Sequence, residues 1–294
     1  MSLRGTLLFS APKQSHTMMG LLIEDSQRHE SNMKRDLYFS KPLMNAAGSL
    51  GFAPDPWSAI SLDSFGTFVT NPISFRPRLP TAQPALLEFP GGFLLHTGLP
   101  NPGLSSVIKN HAARWKRCEL PIIVNLIGDR PEESKRMVQT LEGIENVMAV
   151  ELGFAPMLAD DIIRLTLEMC LGELPLVFSL SVEQVLSLGP RLVQDGAAAI
   201  SISAPRGALT RDGQLINGRI HGPSLFPRSL EIVHSASKVG IPIIGGGGVW
   251  GDEDVADMLA AGAMAVQIGT ALWVPHRPET NPRNADFSPQ PKGD

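Results

Sequence analysis

The sequence predicts an α/β protein built as a closed (β/α)8 barrel. Three observations predict it. The chain has 294 residues, and an α/β barrel needs about 250. Eight short apolar runs alternate along it with helix-length segments. These runs are continuous rather than alternating, as expected of strands covered on both faces. The rival is an open doubly wound sheet. That fold rarely needs eight strands, and it carries its Gly-rich turn after the first of them. Here the Gly-rich turn comes near the end of the chain.

Taken in order, the strand runs are Pro42–Ala47, Thr67–Thr70, Ile122–Leu126, Met148–Leu152, Leu176–Leu180, Ala198–Ser203, Ile241–Ile244 and Ala265–Ile268. Between them, Pro131–Leu141 opens with Pro-Glu-Glu, which suits a helix start. Val182–Leu192 fits a shorter helix. Asp252–Ala261 begins with an acidic turn and stops at Gly262, a fair C-cap. Two connections are too long for plain linkers: Pro72 to about Leu104, and Ala204 to about Ser224. Both follow the C-terminal end of a strand, where barrels build their sites, so both read as lids or binding loops. Residues 1–40 show weak periodicity and read as an N-terminal extension with a hairpin or a short helix. The barrel then spans 41–275. Residues 276–294 are Pro-rich and polar and read as a flexible C-terminal tail.

Composition excludes several classes. Hydrophobic residues are 43% and charged residues 18%, so a large core is available and the chain as a whole does not read as disordered. The net charge is −4 with no long basic run, which argues against nucleic acid as a partner. No apolar run reaches the roughly 18 residues of a membrane span, and the N-terminus lacks signal-peptide order. The two cysteines, Cys118 and Cys170, fall in segments that read as helices and make no disulfide framework. The reading is cytoplasmic. No His/Cys/Asp/Glu cluster has metal spacing, so no metal is expected, and no Cys-x-x-Cys motif suggests an iron–sulfur cluster.

The strongest local signal is Ile244-Gly245-Gly246-Gly247-Gly248-Val249, leading into the helix from Asp252. Glycines directly after a strand let the backbone approach a ligand. Their N–H groups and the next helix terminus can then hold an anion. One strand later, Gly269 and Thr270 fall at the same rim. Either run alone reads equally well as a tight turn. Together, after strands seven and eight, they mark the usual phosphate site of a barrel.

Several segments, in order, resemble the dihydroorotate dehydrogenase family of FMN-dependent barrels. Met44-Asn45-Ala46-Ala47-Gly48 is similar to the family's first-strand segment, which runs under the flavin. Phe75-Arg76-Pro77-Arg78 resembles its Pro-Arg turn after the second strand. Gly98-Leu99-Pro100-Asn101-Pro102-Gly103 matches its substrate loop, which places Asn101 on a substrate contact. Asn125 matches a third-strand asparagine that reaches the flavin, and Gly222 falls on the phosphate side. The resemblance therefore implies FMN as cofactor. It implies Ala46, Ala47, Gly48, Asn71, Asn125 and Ser203 around it, with Gly222, Gly246, Gly247, Gly248, Gly269 and Thr270 as the phosphate grip. His96, beside Thr97 in the same long connection as Asn101, is a second substrate candidate.

The departures from the family pattern are specific. Family members carry Asn-x-Ser-x-Pro-Asn after the fourth strand, with the catalytic Cys or Ser and two substrate asparagines. Here Glu151-Leu152 is followed by Gly153-Phe154-Ala155-Pro156-Met157. The family's lysine after strand two stands as Asn71, its strand-five lysine falls at or near Phe178, and its asparagine after strand six is replaced by Ser203-Ala204. Dihydropyrimidine oxidation needs a proton removed from carbon, and a positioned base contributes about 10²–10⁴-fold. Phe154, Ala155 and Met157 supply none, so the catalytic residue is unassigned. His221, Ser179, Ser181 and Glu151 each have a functional reading beside a plain one, as loop, barrel-lining or ion-paired residues.

The expectation is an FMN-dependent oxidoreductase moving hydride between flavin N5 and a small, dihydropyrimidine-like substrate. That would tie the chain to pyrimidine metabolism. Two alternatives stay open: a barrel that holds FMN or another phosphate ligand without catalysis, and a non-flavin enzyme acting on a phosphorylated small molecule. The expected partner is a small-molecule substrate, with neither nucleic acid nor membrane. A homodimer is the oligomeric state left open.

Overall fold

Why the apolar runs pair as they do is visible in the computed structural model, which describes residues 37–55, 57–58, 60–156 and 158–273. Eight parallel strands form one sheet: β1 (Leu43–Asn45), β2 (Phe68–Val69), β5 (Ile122–Ile127), β6 (Val147–Gly153), β7 (Leu176–Leu180), β8 (Ala199–Ile202), β11 (Ile243–Gly245) and β12 (Ala265–Ile268). Their order is β1-β12-β11-β8-β7-β6-β5-β2. A parallel bridge between Met44 and Thr67 joins the ends, and the Gly66 N–H donates to the Leu43 carbonyl at 2.8 Å. The sheet is thus a closed barrel, as the alternation of runs and helices predicts.

The barrel interior is layered. Met44, Val69, Ile123, Ala149, Val177, Ala199, Ile244 and Ala265 form one buried apolar cluster, with one side chain from each strand. Strand side chains repeat every two residues on a face. The positions two further on are Ala46, Asn71, Asn125, Glu151, Ser179, Ser201, Gly246 and Gln267. The lower layer is therefore a dry plug and the next is mostly polar. The change in chemistry along the strands makes the upper layer the floor of a site.

Six helices lie among the described residues: α1 (Leu104–Arg117), α2 (Pro131–Glu142), α3 (Asp160–Cys170), α4 (Val182–Asp195), α5 (Phe226–Lys238) and α6 (Asp252–Ala260). In α2, Pro131 opens the helix, Glu132 and Glu133 sit at its positive end, and Ser134, Met137, Val138 and Leu141 face inward at helical spacing. Trp115 of α1 is fully buried, and its indole N–H reaches the Phe52 carbonyl at 2.7 Å. Two expectations need correction. α4 runs three residues beyond the expected Leu192 despite Pro190, because a left-handed Gly196 ends it, its N–H bonding to the Leu192 and Val193 carbonyls. Cys118 lies just past the end of α1 rather than in a helix. Both cysteines are free.

The two long connections are also not loops. The first contains β3 (Ala85–Phe89) and β4 (Gly92–His96), and the second β9 (Arg206–Arg211) and β10 (Gln214–His221). The four make one antiparallel sheet in the order β3-β4-β10-β9. Its hairpins turn at Pro90-Gly91, with Gly91 at φ 89°, and at Asp212-Gly213, with φ 52° and 75°. Pro-Gly and Asp-Gly are the residue pairs that such turns favour. Segments after the second and sixth barrel strands thus join into a single lid. No helix among the described residues is long and apolar enough to cross a membrane. The expected extension and tail lie largely outside the described residues, and Met157 does so entirely.

Candidate active site

Between the polar layer and the lid sheet lies a cavity of about 560 Å³, within the roughly 300–1,000 Å³ usual for ligand sites. Thirteen of the fourteen residues singled out from the sequence line it. They are His96, the first-strand residues Ala46, Ala47 and Gly48, then Asn71, Asn125, Ser203 and Gly222, and the glycine-rim residues Gly246, Gly247, Gly248, Gly269 and Thr270. Asn101 is the exception. Its Oδ1 accepts from the Ser74 N–H, the Ser74 hydroxyl and the Gly103 N–H at 3.1, 3.0 and 3.0 Å, and its Nδ2 donates to the Leu99 carbonyl at 3.1 Å. That carboxamide is spent on bracing its own loop, and the structure does not bring it to the cavity.

The glycine rim has the clearest geometry. Gly247 and Gly248 sit at φ 93° and 77°, a region L side chains rarely adopt. A Cβ on Gly247 would lie 2.5 Å from the Ser229 hydroxyl, and one on Gly248 would overlap the Phe226 nitrogen at the start of α5. Among the described residues, no protein acceptor takes the N–H groups of Gly246, Gly247, Gly248, Gly269 or Thr270. These are five donors at the ends of neighbouring strands, facing a shared cavity. The helix terminus expected to assist them is not free. The Asp254 carboxylate caps α6 by accepting from the Trp250 and Gly251 N–H groups at 2.7 and 3.2 Å, and Asp252 and Glu253 add to an acidic first turn. The helix start beside the glycines is that of α5.

The floor is organised by Glu151, which is 2% exposed. Asn125 Nδ2 donates to its Oε2 at 2.9 Å, while the Ser201 hydroxyl and Gln267 Nε2 donate to its Oε1 at 2.6 and 2.9 Å. A buried carboxylate is tolerated only with such partners. The sequence reading gives Glu151 a functional or an ion-paired role and gives Ser201 and Gln267 none; its partners here are three neutral donors. The signal was available: each is a polar residue inside an otherwise apolar strand. On the adjacent wall, Phe154 stacks on Phe178 with ring centroids 5.6 Å apart, and Phe178 is fully buried. Phe178 packs in the outer core between the strands and the helices, so of the two rings only Phe154 lines the cavity, beside Ala155, Pro156 and Ser179. No lysine lines the cavity.

The lid brings basic groups. Arg78, Arg206, Arg219, His96 and His221 line the mouth, with Asp129. Burial lowers the Arg219 pKa and Arg206 lowers it further, against the opposing field of Asp129. Burial pulls the His221 imidazole down to about 4, with the Arg219 charge acting in the same direction. His221 stacks on its cross-strand neighbour Phe93 at 5.4 Å, and His96 Nε2 lies 3.1 Å from the Thr81 hydroxyl.

Comparison with known proteins fits this arrangement. A family model described as dihydroorotate dehydrogenase matches residues 32–155 and 201–277. Relatives named dihydroorotate dehydrogenase B (NAD(+)), catalytic subunit, include one from Geobacter sp. (strain M21), 28% identical over 79% of this chain and 84% of its own length. Another, from Pelobacter propionicus, is 30% identical over 81% and 86%. A third, from Bacillus caldolyticus, is 29% identical over 81% and 83%.

Proposed function

The chain belongs to the dihydroorotate dehydrogenase family, and from that premise we propose that it is an FMN-dependent oxidoreductase whose substrate is not dihydroorotate. The observation that carries the cofactor is the set of five unspent N–H groups around the two left-handed glycines. An anion there gains several hydrogen bonds and meets no Cβ. Gly246, Gly247, Gly248, Gly269 and Thr270 would hold the phosphate, with Gly222 beside them. Ala46, Ala47, Gly48, Asn71, Asn125 and Ser203 would line the remainder. When bound, FMN supplies hydride chemistry at N5.

The chain's own residues do the rest. Glu151 fixes the Asn125 and Gln267 carboxamides by taking one N–H from each. A preset donor or acceptor loses less entropy on binding than a mobile one. The lid sheet, whose Leu94 is fully buried, lines the cavity with Leu95, Arg219 and His221. Gly153, Phe154, Ala155 and Pro156 offer no proton acceptor on their side chains, which supports a substrate other than a dihydropyrimidine. The family match also leaves out residues 156–200, which include Phe178 and Ser179. The same apolar wall supports a second reading, a barrel that keeps the cofactor without catalysis.

A visible absorption scan of the purified protein tests the cofactor. The flavin band is expected, and its absence would reject the proposal in favour of a non-flavin phosphate ligand. Bleaching of that band by a substrate under anaerobic conditions separates the oxidoreductase from the binding protein.

A further inference from the structure

Arg206 and Arg219 face each other as Cα partners across β9 and β10. Like charges directly opposite on a sheet destabilise it, yet both line the cavity, and Arg78 joins them. None of the three makes an ion pair within 4.0 Å among the described residues. Among the described residues, the one side-chain hydrogen bond from Arg219 is a long one, 3.4 Å to the Ala204 carbonyl. Asp129 is the acid whose field reaches both Arg206 and Arg219, and its Oδ1 already accepts from the Ala155 N–H at 2.7 Å. The Glu151 charge is taken up on the floor by three donors. Three guanidinium groups against one carboxylate leave the mouth two positive charges in excess.

The position of this excess matters. Asp129 follows β5, and β5 and β6 lie across the closed barrel from β11 and β12, which carry the glycine rim. The cavity lining therefore holds two anion-attracting groups of different kinds. One is made of backbone N–H groups and the other of planar guanidinium forks, which suit carboxylate and phosphate oxygens. A neutral substrate would leave the second group uncompensated.

We propose that Arg206 and Arg219, with Arg78, form an anion subsite at the cavity mouth for a small dianionic substrate, a dicarboxylate or a phosphate monoester. Calling this anion the substrate rests on the oxidoreductase reading; the subsite itself does not.

The experiment is calorimetric titration of the full chain at low ionic strength with fumarate, inorganic phosphate and, as monoanion control, acetate. One dianion binds at least about tenfold more tightly than acetate, and Arg206→Gln weakens it about tenfold or more. Arg219→Lys keeps the charge but loses the fork, so it weakens binding less. Preference for fumarate marks a dicarboxylate site, and preference for phosphate marks a phosphate monoester site. Arg206 is exposed at the rim, so its replacement leaves folding intact, which far-UV circular dichroism checks. The proposal is overturned by absence of heat with both dianions, by equal affinity for acetate, or by unchanged affinity in Arg206→Gln. Phosphate binding that survives Arg206→Gln but is lost in Gly247→Asp would move the ion to the glycine rim and equally overturn it. The visible flavin band is recorded on the same samples, so failure of the cofactor reading is a separate signal.

Discussion

Replacing Gly247 by aspartate is the most direct challenge to the phosphate cradle. Gly247 sits at φ 93°, and a Cβ there would lie 2.5 Å from the Ser229 hydroxyl. Holding an L residue in that region costs about 1–3 kcal/mol. An aspartate also puts a negative charge beside the phosphate. At about 4 Å and an effective dielectric of about 20, that repulsion is about 4 kcal/mol per unit charge. The repulsion alone is worth roughly three orders of magnitude in affinity, while the strain lowers the stability of the folded chain with or without ligand. The flavin-to-protein ratio after gel filtration should therefore fall close to zero. Gly247→Ala keeps the strain and removes the charge, so it should lose about 1–3 kcal/mol of stability and far less flavin than Gly247→Asp. Adding Ser229→Ala relieves the contact and should recover part of that loss. An unchanged ratio in Gly247→Asp, with wild-type melting, would place the phosphate elsewhere and refute the cradle.

Three further outcomes follow from the same geometry. Anaerobic stopped flow should show flavin reduction by dihydroorotate at least about 10²-fold slower than in a relative that carries the base; rapid reduction would mean that another residue, such as His221, serves as base. Stability should depend on His221 in a defined window. Its folded pKa of about 4 lies below the ordinary 6.5, so its contribution is complete above about pH 6.5 and is lost as pH falls from there toward 4, by on the order of 3 kcal/mol. His221→Gln should flatten melting temperature over that interval, and a slope equal to wild type would contradict the account. Ser201→Ala removes the 2.6 Å donor to Glu151 and should cost about 1–3 kcal/mol in urea unfolding with an unchanged m-value; no loss would mean that the floor network is not under tension from burial.

The barrel was legible because its strands are buried on both faces. Leu176–Leu180 and Ala265–Ile268 appear with the very bounds their apolar runs suggest. The glycine rim was legible because only glycine suits φ near 90°, so the sequence itself carries the backbone requirement. The lid was misread for a different reason. Its strands alternate exposed and covered residues, as in Arg206–Arg211, and lack the continuous apolar signal of the barrel. Its turn pairs, Pro90-Gly91 and Asp212-Gly213, are the sequence signal that marks two hairpins. Asn101 was misplaced because a motif gives residue identity and not side-chain direction; four local hydrogen bonds, set by the fold of the loop, decide where it points. The acidic start of α6 was visible as well. It argued for a helix and against an anion site at the same time, since carboxylates at a helix N-terminus take the place a ligand would use.

A barrel separates these requirements in space, so a change at one rim need not disturb the other. The cradle depends on the ends of β11 and β12, while the wall that would face a substrate depends on the ends of β6, β7 and β8 and on the lid. Each strand end is positioned by its own ladder partners, so Phe154 and Phe178 can stack beside β6 and β7 without disturbing Gly247 or Gly248 across the barrel. The floor couples the two halves, because Glu151 on β6 is bonded to Gln267 on β12. A polar wall would favour a substrate recognised by neutral hydrogen bonds. With Phe154, Ala155 and Pro156 on that wall and Arg206 and Arg219 on the lid, the proposed subsite would make charge at the mouth the main term in recognition. On that proposal, a substrate with its negative charges at one end and an apolar reacting portion at the other would meet both conditions.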